Sequence, residues 1–175
     1  KKSMIKMQKI LFLTGALGFA GKHYYKSFQN HWDKIIIYDK KTYAADQKFF
    51  LKNKRKKDVF IKGDICDYNN LKKSMPKNCY VIHFAAESHV DNSFYSSLIF
   101  TKTNALGTHT LLEVCSIKKN KKITIISTDE VYGETIKKKN EKSILEPTNP
   151  YSASKTSADI ISQTYYKCFK LPICI

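Results

Sequence analysis

Ile10-Leu11-Phe12-Leu13 is an apolar run that breaks at Thr14-Gly15, and glycines then recur at positions 15, 18 and 21. A short apolar run bounded by turn residues suits a buried strand, and glycine lets the backbone turn sharply at its end. The glycines open a helix expected to reach about Asn30. Lys34-Ile35-Ile36-Ile37-Tyr38 then follows as a second buried strand ending in Asp39. Strand, glycine turn, helix and strand in that order call for a parallel sheet with a right-handed crossover. A competing reading exists, because residues 1–9 are basic and residues 10–21 carry no charge, as in a signal peptide. The second strand and its terminal acid favour the strand reading.

The pattern continues. Asp58-Val59-Phe60-Ile61 reads as a third strand followed by Gly63-Asp64-Ile65, and Asp67 is a suitable N-cap for a helix to about Met75. Cys79-Tyr80-Val81-Ile82-His83-Phe84 is a fourth strand, ending in the small residues Ala85-Ala86. From Phe94 to Ile117 the apolar spacing is helical, with Thr103 and Asn104 as a polar break that serves either a ligand or solvent. Ile123-Thr124-Ile125-Ile126 is a fifth strand. A lysine-rich loop from Glu134 to Pro150 leads to a helix from Tyr151 to about Phe169, and Leu171 to Ile175 enters a sixth strand. The fold expected is α/β, a Rossmann-like doubly wound parallel sheet, with residues 1–175 as one domain.

In such sheets ligands bind outside the carboxyl ends of the strands. Glycines allow close approach to a pyrophosphate met by a helix N-terminus. Asp39 lies 18 residues after Gly21, where a carboxylate binds ribose hydroxyls and repels a 2′-phosphate, favouring NAD over NADP. Behind the fifth strand comes Ser127-Thr128-Asp129-Glu130-Val131-Tyr132-Gly133. Side chains alternate along a strand, so Thr128, Asp129 and Glu130 share one site only if the strand ends by Ser127 and the backbone turns. Tyr151 and Lys155 stand about 6 Å apart along one helix face, where a lysine charge can lower a tyrosine pKa.

The 175 residues carry a net charge of +16, almost all from lysine, since Arg55 is the one arginine. Base readout leans on arginine, so the excess argues against specific nucleic-acid binding; salt-dependent retention on random DNA without NAD binding would favour it. The runs at residues 52–57, 118–122 and 137–142 read as solvated loops and helix ends. Five cysteines without a C-x-x-C pair point to reduced core thiols in a cytoplasmic compartment. No apolar stretch is long enough to span a membrane, and no metal is expected.

Taken in order, Gly15-x-x-Gly18-x-x-Gly21, Asp39 to Tyr43, Gly63-Asp64-Ile65, Phe84 to Asp91, Thr128 to Gly133 and Tyr151-Ser152-Ala153-Ser154-Lys155 resemble nucleotide-sugar 4,6-dehydratases. These are extended members of the short-chain dehydrogenase/reductase superfamily. The Thr-Asp-Glu stretch discriminates, because related epimerases lack the acid pair. Ala16 stands where the family usually has a second glycine, and Ala20 replaces a usual isoleucine. Family members continue through a smaller substrate-binding domain, so the resemblance implies a fragment or truncated chain.

The resemblance also implies roles. NAD would be held by Gly15, Gly18, Phe19, Ala20, Gly21, Asp39, Lys40, Thr42, Asp64, Ile65, Phe84, Ala85, Ala86, Thr103, Tyr151 and Lys155. Ser88 and Thr128 would bind the substrate, dTDP-glucose or UDP-glucose. Tyr151, with Lys155 and Thr128, would take the proton of the 4-hydroxyl; Glu130 would remove the C5 proton, and Asp129 would protonate the leaving 6-hydroxyl. Two carboxylates in one desolvated site can divide protonation states in this way. Alternatives are a nucleotide-sugar epimerase, which needs no acid pair, and an NAD-binding protein without activity. A homodimer is one assembly the resemblance allows.

Overall fold

A computed structural model describes residues 8–136 and 138–175. Residues 1–7 of the basic N-terminal stretch and Lys137 of the third lysine run lie outside the described residues. Six strands form one parallel sheet: β1 (Ile10–Thr14), β2 (Lys34–Asp39), β3 (Val59–Lys62), β4 (Tyr80–His83), β5 (Lys122–Ile125) and β6 (Ile173–Cys174), in the order β3-β2-β1-β4-β5-β6. Strand side chains alternate between faces, and two separate apolar clusters result. Phe12, Ile36, Val81, Ile123 and Ile125 meet α3 (Tyr68–Ser74), α6 (Gly107–Lys118) and α7 (Pro150–Phe169). Leu11, Leu13, Ile35 and Ile37 meet α1 (Phe19–Phe28) and α2 (Gln47–Asn53) on the other face. β1 is therefore a central strand buried on both faces, which settles the competing readings of residues 10–21 in its favour.

The strand order reverses direction between β1 and β4, so their carboxyl-terminal loops diverge and leave a crevice. Gly15 sits at this fork with φ +68°, and its N–H donates to the Tyr38 carbonyl at 3.1 Å. A Cβ on Gly15 would lie 2.4 Å from the Ala85 nitrogen, and one on Gly21 2.2 Å from the Gly15 carbonyl oxygen. On Gly18 the nearest atom would be 3.4 Å away. Two of the three glycines are thus required by the chain's own packing, whereas a Cβ on the third would meet only an ordinary van der Waals contact.

The helix expected from Phe94 to Ile117 is interrupted. α4 (Val90–Tyr95) ends at Ser96, α5 (Ser97–Phe100) follows, and Thr101–Leu106 is π-helical before α6 begins. The π-helical stretch contains Asn104, only 1% exposed, whose amide needs partners. Its Nδ2 donates to the Glu87 carbonyl and the Ser154 hydroxyl, both at 2.9 Å, and its Oδ1 accepts the Glu87 N–H at 2.8 Å. A π-turn widens the helix where such a side chain must turn inward.

The lysine run at residues 52–57 holds a helix end, as expected, and a largely buried arginine, which was not. Its first two residues close α2, a helix the sequence reading missed, which Asp46 caps by accepting the Phe49 N–H at 3.0 Å and which buries Phe50. Arg55 then makes a bidentate pair with Asp58 at 2.7 and 2.9 Å. Asp58 also accepts from Tyr25 Oη at 2.6 Å and the Ile35 N–H at 2.8 Å. Burial acts to raise the Asp58 carboxyl, but Arg55, Tyr25 and Ile35 outweigh it and hold it below its ordinary value. A buried carboxylate requires such partners, which is why the one arginine lies here. Asp67 caps α3 as expected, accepting the Asn70 N–H at 3.0 Å. Among the described residues no helix is long and apolar enough to cross a membrane.

His83, at the end of β4, shares hydrogen bonds with Thr14 at 2.7 Å and Thr108 at 3.1 Å, tying β1 and α6 to β4. Burial, with the nearby Lys155 charge adding to it, pushes its imidazole down to about 3. The unfolded chain therefore binds a proton that the folded one does not, between about pH 6.5 and that value. This contribution is complete above pH ~6.5 and is lost as pH falls. Urea unfolding at pH 7 and 5 should show the parent losing about 2 kcal/mol more than His83→Gln over that interval; equal losses would contradict the assignment.

The glycines give a second expectation. Gly21→Ala should cost about 1–3 kcal/mol through overpacking against Gly15, whereas Gly18→Ala should cost under about 1 kcal/mol. Denaturant midpoints of the two variants check this.

Candidate active site

The crevice beside β1 is lined by Gly15, Gly18, Asp39, Lys40, Thr42, Asp64, Ile65, Phe84, Ala85, Ala86 and Thr103, eleven of the residues expected to hold a dinucleotide. Glu87 and Tyr38 line it as well. Asp39 closes its floor, accepting the Leu17 N–H at 3.0 Å and the Lys41 N–H at 2.8 Å. Lys40 pairs with Asp64 at 2.8 Å. Burial acts to raise the Asp64 carboxyl, but Lys40 and the Cys66 N–H hold it below its ordinary value. Gly63 can take no side chain, because a Cβ would fall 2.2 Å from the Tyr38 ring.

Phe19, Ala20 and Gly21 do not line the crevice. Phe19 is 79% exposed at the start of α1, Ala20 is exposed beside it, and Gly21 is spent on packing against Gly15. What this stretch offers is backbone: α1 has no side-chain cap and no acidic residue in its first turn. Its leading N–H groups and the positive end of its dipole are free for an anion. Gly18 lines the crevice without a side chain, so its backbone can be approached by a pyrophosphate, and the residues fit a dinucleotide.

The second group of predicted residues comes together at β5 and α7. β5 ends at Ile125, and Asp129–Tyr132 is a 3-10 turn, so the strand stops before the acid pair as the alternation argument required. The Thr128 hydroxyl caps the turn, accepting the Glu130 N–H at 3.3 Å. Gly133 has φ +70°, and a Cβ there would fall 2.0 Å from the Glu146 carbonyl oxygen, so the loop returns tightly against the turn. Asp129 is exposed and lines a second cavity with Thr128, Tyr132, Asp159 and Tyr166. Glu130 is half-buried and accepts Asn149 Nδ2 at 3.0 Å.

Tyr151 and Lys155 are both buried on α7, neither among the crevice's lining residues. The lowering of the Tyr151 pKa by Lys155 is not found. Burial raises the phenol, the Glu130 and Asp129 carboxylates add to that, and the Thr128 hydroxyl works the other way. Lys155 instead donates its ammonium to the Ile126 carbonyl at 2.5 Å. Burial lowers the Lys155 pKa against the pull of Asp159. Asp159, 5% exposed, accepts Ser127 Oγ at 2.6 Å and is raised by burial. Ser88 is exposed and lines neither of these two cavities.

Sequence reasoning gave no role to Asn149, Ser127, Ser154 or Asp159, although Ser127 and Ser154 stand inside the motifs it singled out. Asn149 had a signal, because Asn-Pro ahead of Tyr151-Ser152 is a capping box with proline in the first turn. The other three are ordinary helix or loop residues whose partners lie far along the chain.

A family model described as GDP-mannose 4,6 dehydratase matches residues 12–175. The chain is 45% identical over 193 aligned residues to a dTDP-D-glucose 4,6-dehydratase of Dictyostelium discoideum, covering 99% of this chain and 44% of that protein. It is 38% identical to a trifunctional UDP-glucose 4,6-dehydratase/UDP-4-keto-6-deoxy-D-glucose 3,5-epimerase/UDP-4-keto-L-rhamnose-reductase of Arabidopsis thaliana, covering 94% of this chain and 26% of that protein. The crystal structure of a dTDP-glucose 4,6-dehydratase from Streptomyces venezuelae, solved with NAD bound, superposes with a TM-score of 0.90 at 34% identity, over 94% of this chain and 53% of that one. The chain thus spans about half the length of the dehydratases it matches, or less. With the family model matched over residues 12–175 and the dehydratase fold superposing on it, the chain belongs to the GDP-mannose 4,6 dehydratase family, within the extended short-chain dehydrogenases/reductases.

Proposed function

We propose that residues 1–175 are the NAD-binding part of a nucleotide-sugar 4,6-dehydratase that converts dTDP-glucose or UDP-glucose to its 4-keto-6-deoxy sugar with loss of water. The observation that carries this reading is the 3-10 turn at Asp129–Tyr132, which keeps two carboxylates near the Tyr151 phenol. An epimerase would have no use for that pair. NAD would lie along the crevice, with its pyrophosphate at Gly18 and the first turn of α1 and its adenosine end between Asp39 and Asp64. The chemistry NAD supplies when bound is hydride storage between C4 and C6 of the sugar.

The residues of the chain would move the protons. Tyr151 takes the proton of the 4-hydroxyl, with Thr128 hydrogen-bonding that oxygen. The 4-ketone acidifies the C5 proton, which Glu130 removes as base. Asp129 donates a proton to the leaving 6-hydroxyl, so the C6–O bond breaks as water forms, and Glu130 would return its proton to C5 as C6 regains the stored hydride. Asp129 is exposed and Glu130 half-buried, an asymmetry that suits an acid which must be reprotonated and a base which must be aimed. The second domain carried by the relatives would hold the nucleotide, and the enzyme would act in a reducing, cytoplasmic compartment where its five free cysteines remain thiols.

NAD should bind at least about tenfold more tightly than NADP, because the Asp39 carboxylate faces the position of a 2′-phosphate. Titration of both cofactors checks this, and equal or stronger NADP binding would overturn the role of Asp39.

In the protein with its full complement of domains, Tyr151→Phe should lower 4-ketone formation at least about a hundredfold. Glu130→Gln should still form the ketone but accumulate the 4-keto sugar that retains its 6-hydroxyl, detectable by borohydride trapping. Release of 4-keto-6-deoxy sugar by Glu130→Gln at the parent rate would remove Glu130 from the mechanism.

A further inference from the structure

We infer that Asn149 is the positioning residue for the Glu130 carboxylate, joining the acid turn to the helix that carries Tyr151 and Lys155. The inference rests on the dehydratase reading above. Asn149 uses both ends of its amide. Its Oδ1 accepts the Ser152 N–H at 2.8 Å, and its backbone N–H donates to Ser152 Oγ at 3.1 Å, closing the cap of α7. Its Nδ2 donates to Glu130 Oε2 at 3.0 Å, across 19 residues of sequence. The amide cannot be flipped, because that would set its NH2 group against the Ser152 N–H. The amide is planar, so fixing Oδ1 on the helix terminus also fixes where Nδ2 points. One oxygen of Glu130 is thereby tied to the helix terminus.

The segment that delivers Asn149 is itself seated on the turn. The Glu146 N–H donates to the Val131 carbonyl at 3.0 Å, and the left-handed Gly133 admits the Glu146 carbonyl where a Cβ would exclude it. Pro150 fixes the first residue of α7. The lysine-rich loop thus closes onto the acid turn in a defined register, and Asn149 is the polar link at its end. A residue that only capped the helix would be replaceable, since serine and aspartate cap as well as asparagine. Asparagine alone among them caps and donates a side-chain N–H at once.

Asn149→Ser keeps the cap and removes the donor. Asn149→Asp keeps the cap and turns an acceptor with like charge toward Glu130. Both are made in the protein with its full complement of domains, and each is given the nucleotide sugar deuterated at C5. The rate of 4-ketone formation should match the parent, and thermal midpoints should fall by no more than the loss of one hydrogen bond entails. Loss of deuterium from C5 should fall at least about tenfold in Asn149→Ser, the usual effect of a hydrogen bond to a charged group, and further in Asn149→Asp. Unchanged C5 exchange in both variants, or oxidation falling in parallel with exchange, would overturn the assignment and leave the dehydratase reading in place. A parent protein that forms no 4-ketone from dTDP-glucose or UDP-glucose would overturn that reading, and the assignment with it.

Discussion

The approach of β1 to the end of β4 governs the rest of the molecule. Gly15 leaves β1 with its backbone so near Ala85 that a single added carbon would sit 2.4 Å from the Ala85 nitrogen. That contact is possible only because the parallel order reverses here, with β2 on one side of β1 and β4 on the other. The fork sets where α1 begins, and hence where its unpaired N–H groups point. It also sets how far Phe84, Ala85 and Ala86 stand from Asp39 across the crevice. The buried link Thr14–His83–Thr108 holds the same fork from below, through side chains rather than backbone.

Buried amides and carboxylates then join parts of the chain that the apolar core alone would leave free to slide. Apolar packing is non-directional, whereas an unpartnered buried polar group costs about 1–3 kcal/mol. Asn104 ties the loop after β4 to α7 from within the π-helical stretch. Asn149 ties α7 to the acid turn. Asp58 gathers α1, β2 and Arg55 at the opposite end of the strands, away from the crevice. Each of these residues has one geometry in which all of its polar atoms are satisfied, and together they set the relative positions of the two halves of the site.

Charge within the site is arranged by depth. The exposed Asp129, the half-buried Glu130 and the buried Tyr151 form a gradient from solvent to core. Behind them Lys155 and Asp159 form a buried pair of opposite sign, each shifted by burial toward neutrality. The lysines that dominate the composition contribute little here. Among the described residues, Lys40 lines the dinucleotide crevice, Lys142 lines the cavity beside Asp129, and Lys155 lies buried on α7.

Much of this was legible in the sequence, because it depends on short-range pattern. The order of strands and glycines, the acid after β2, the N-cap of α3 and the need for a turn before Asp129 follow from periodicity and local backbone chemistry. A strand must alternate, so an acid pair meant for one site had to leave it. The remainder depended on partners distant in sequence. Nothing near Asn104 marks it as buried against Glu87 and Ser154, so the helix break was read no further than as a polar interruption. Arg55 and Asp58 were hidden in a run of lysines, since a buried ion pair and a solvated one use the same residue types. The Lys155 ammonium was expected to serve Tyr151, but the Ile126 carbonyl and Asp159 compete for it, and both reach it only through tertiary packing. The sequence by itself determined the parallel sheet and the identity of the groups at its carboxyl edge, because those are fixed by period and turn chemistry. Only the tertiary structure decided which polar group bonds which, because a side-chain hydrogen bond is chosen by distance and direction in space.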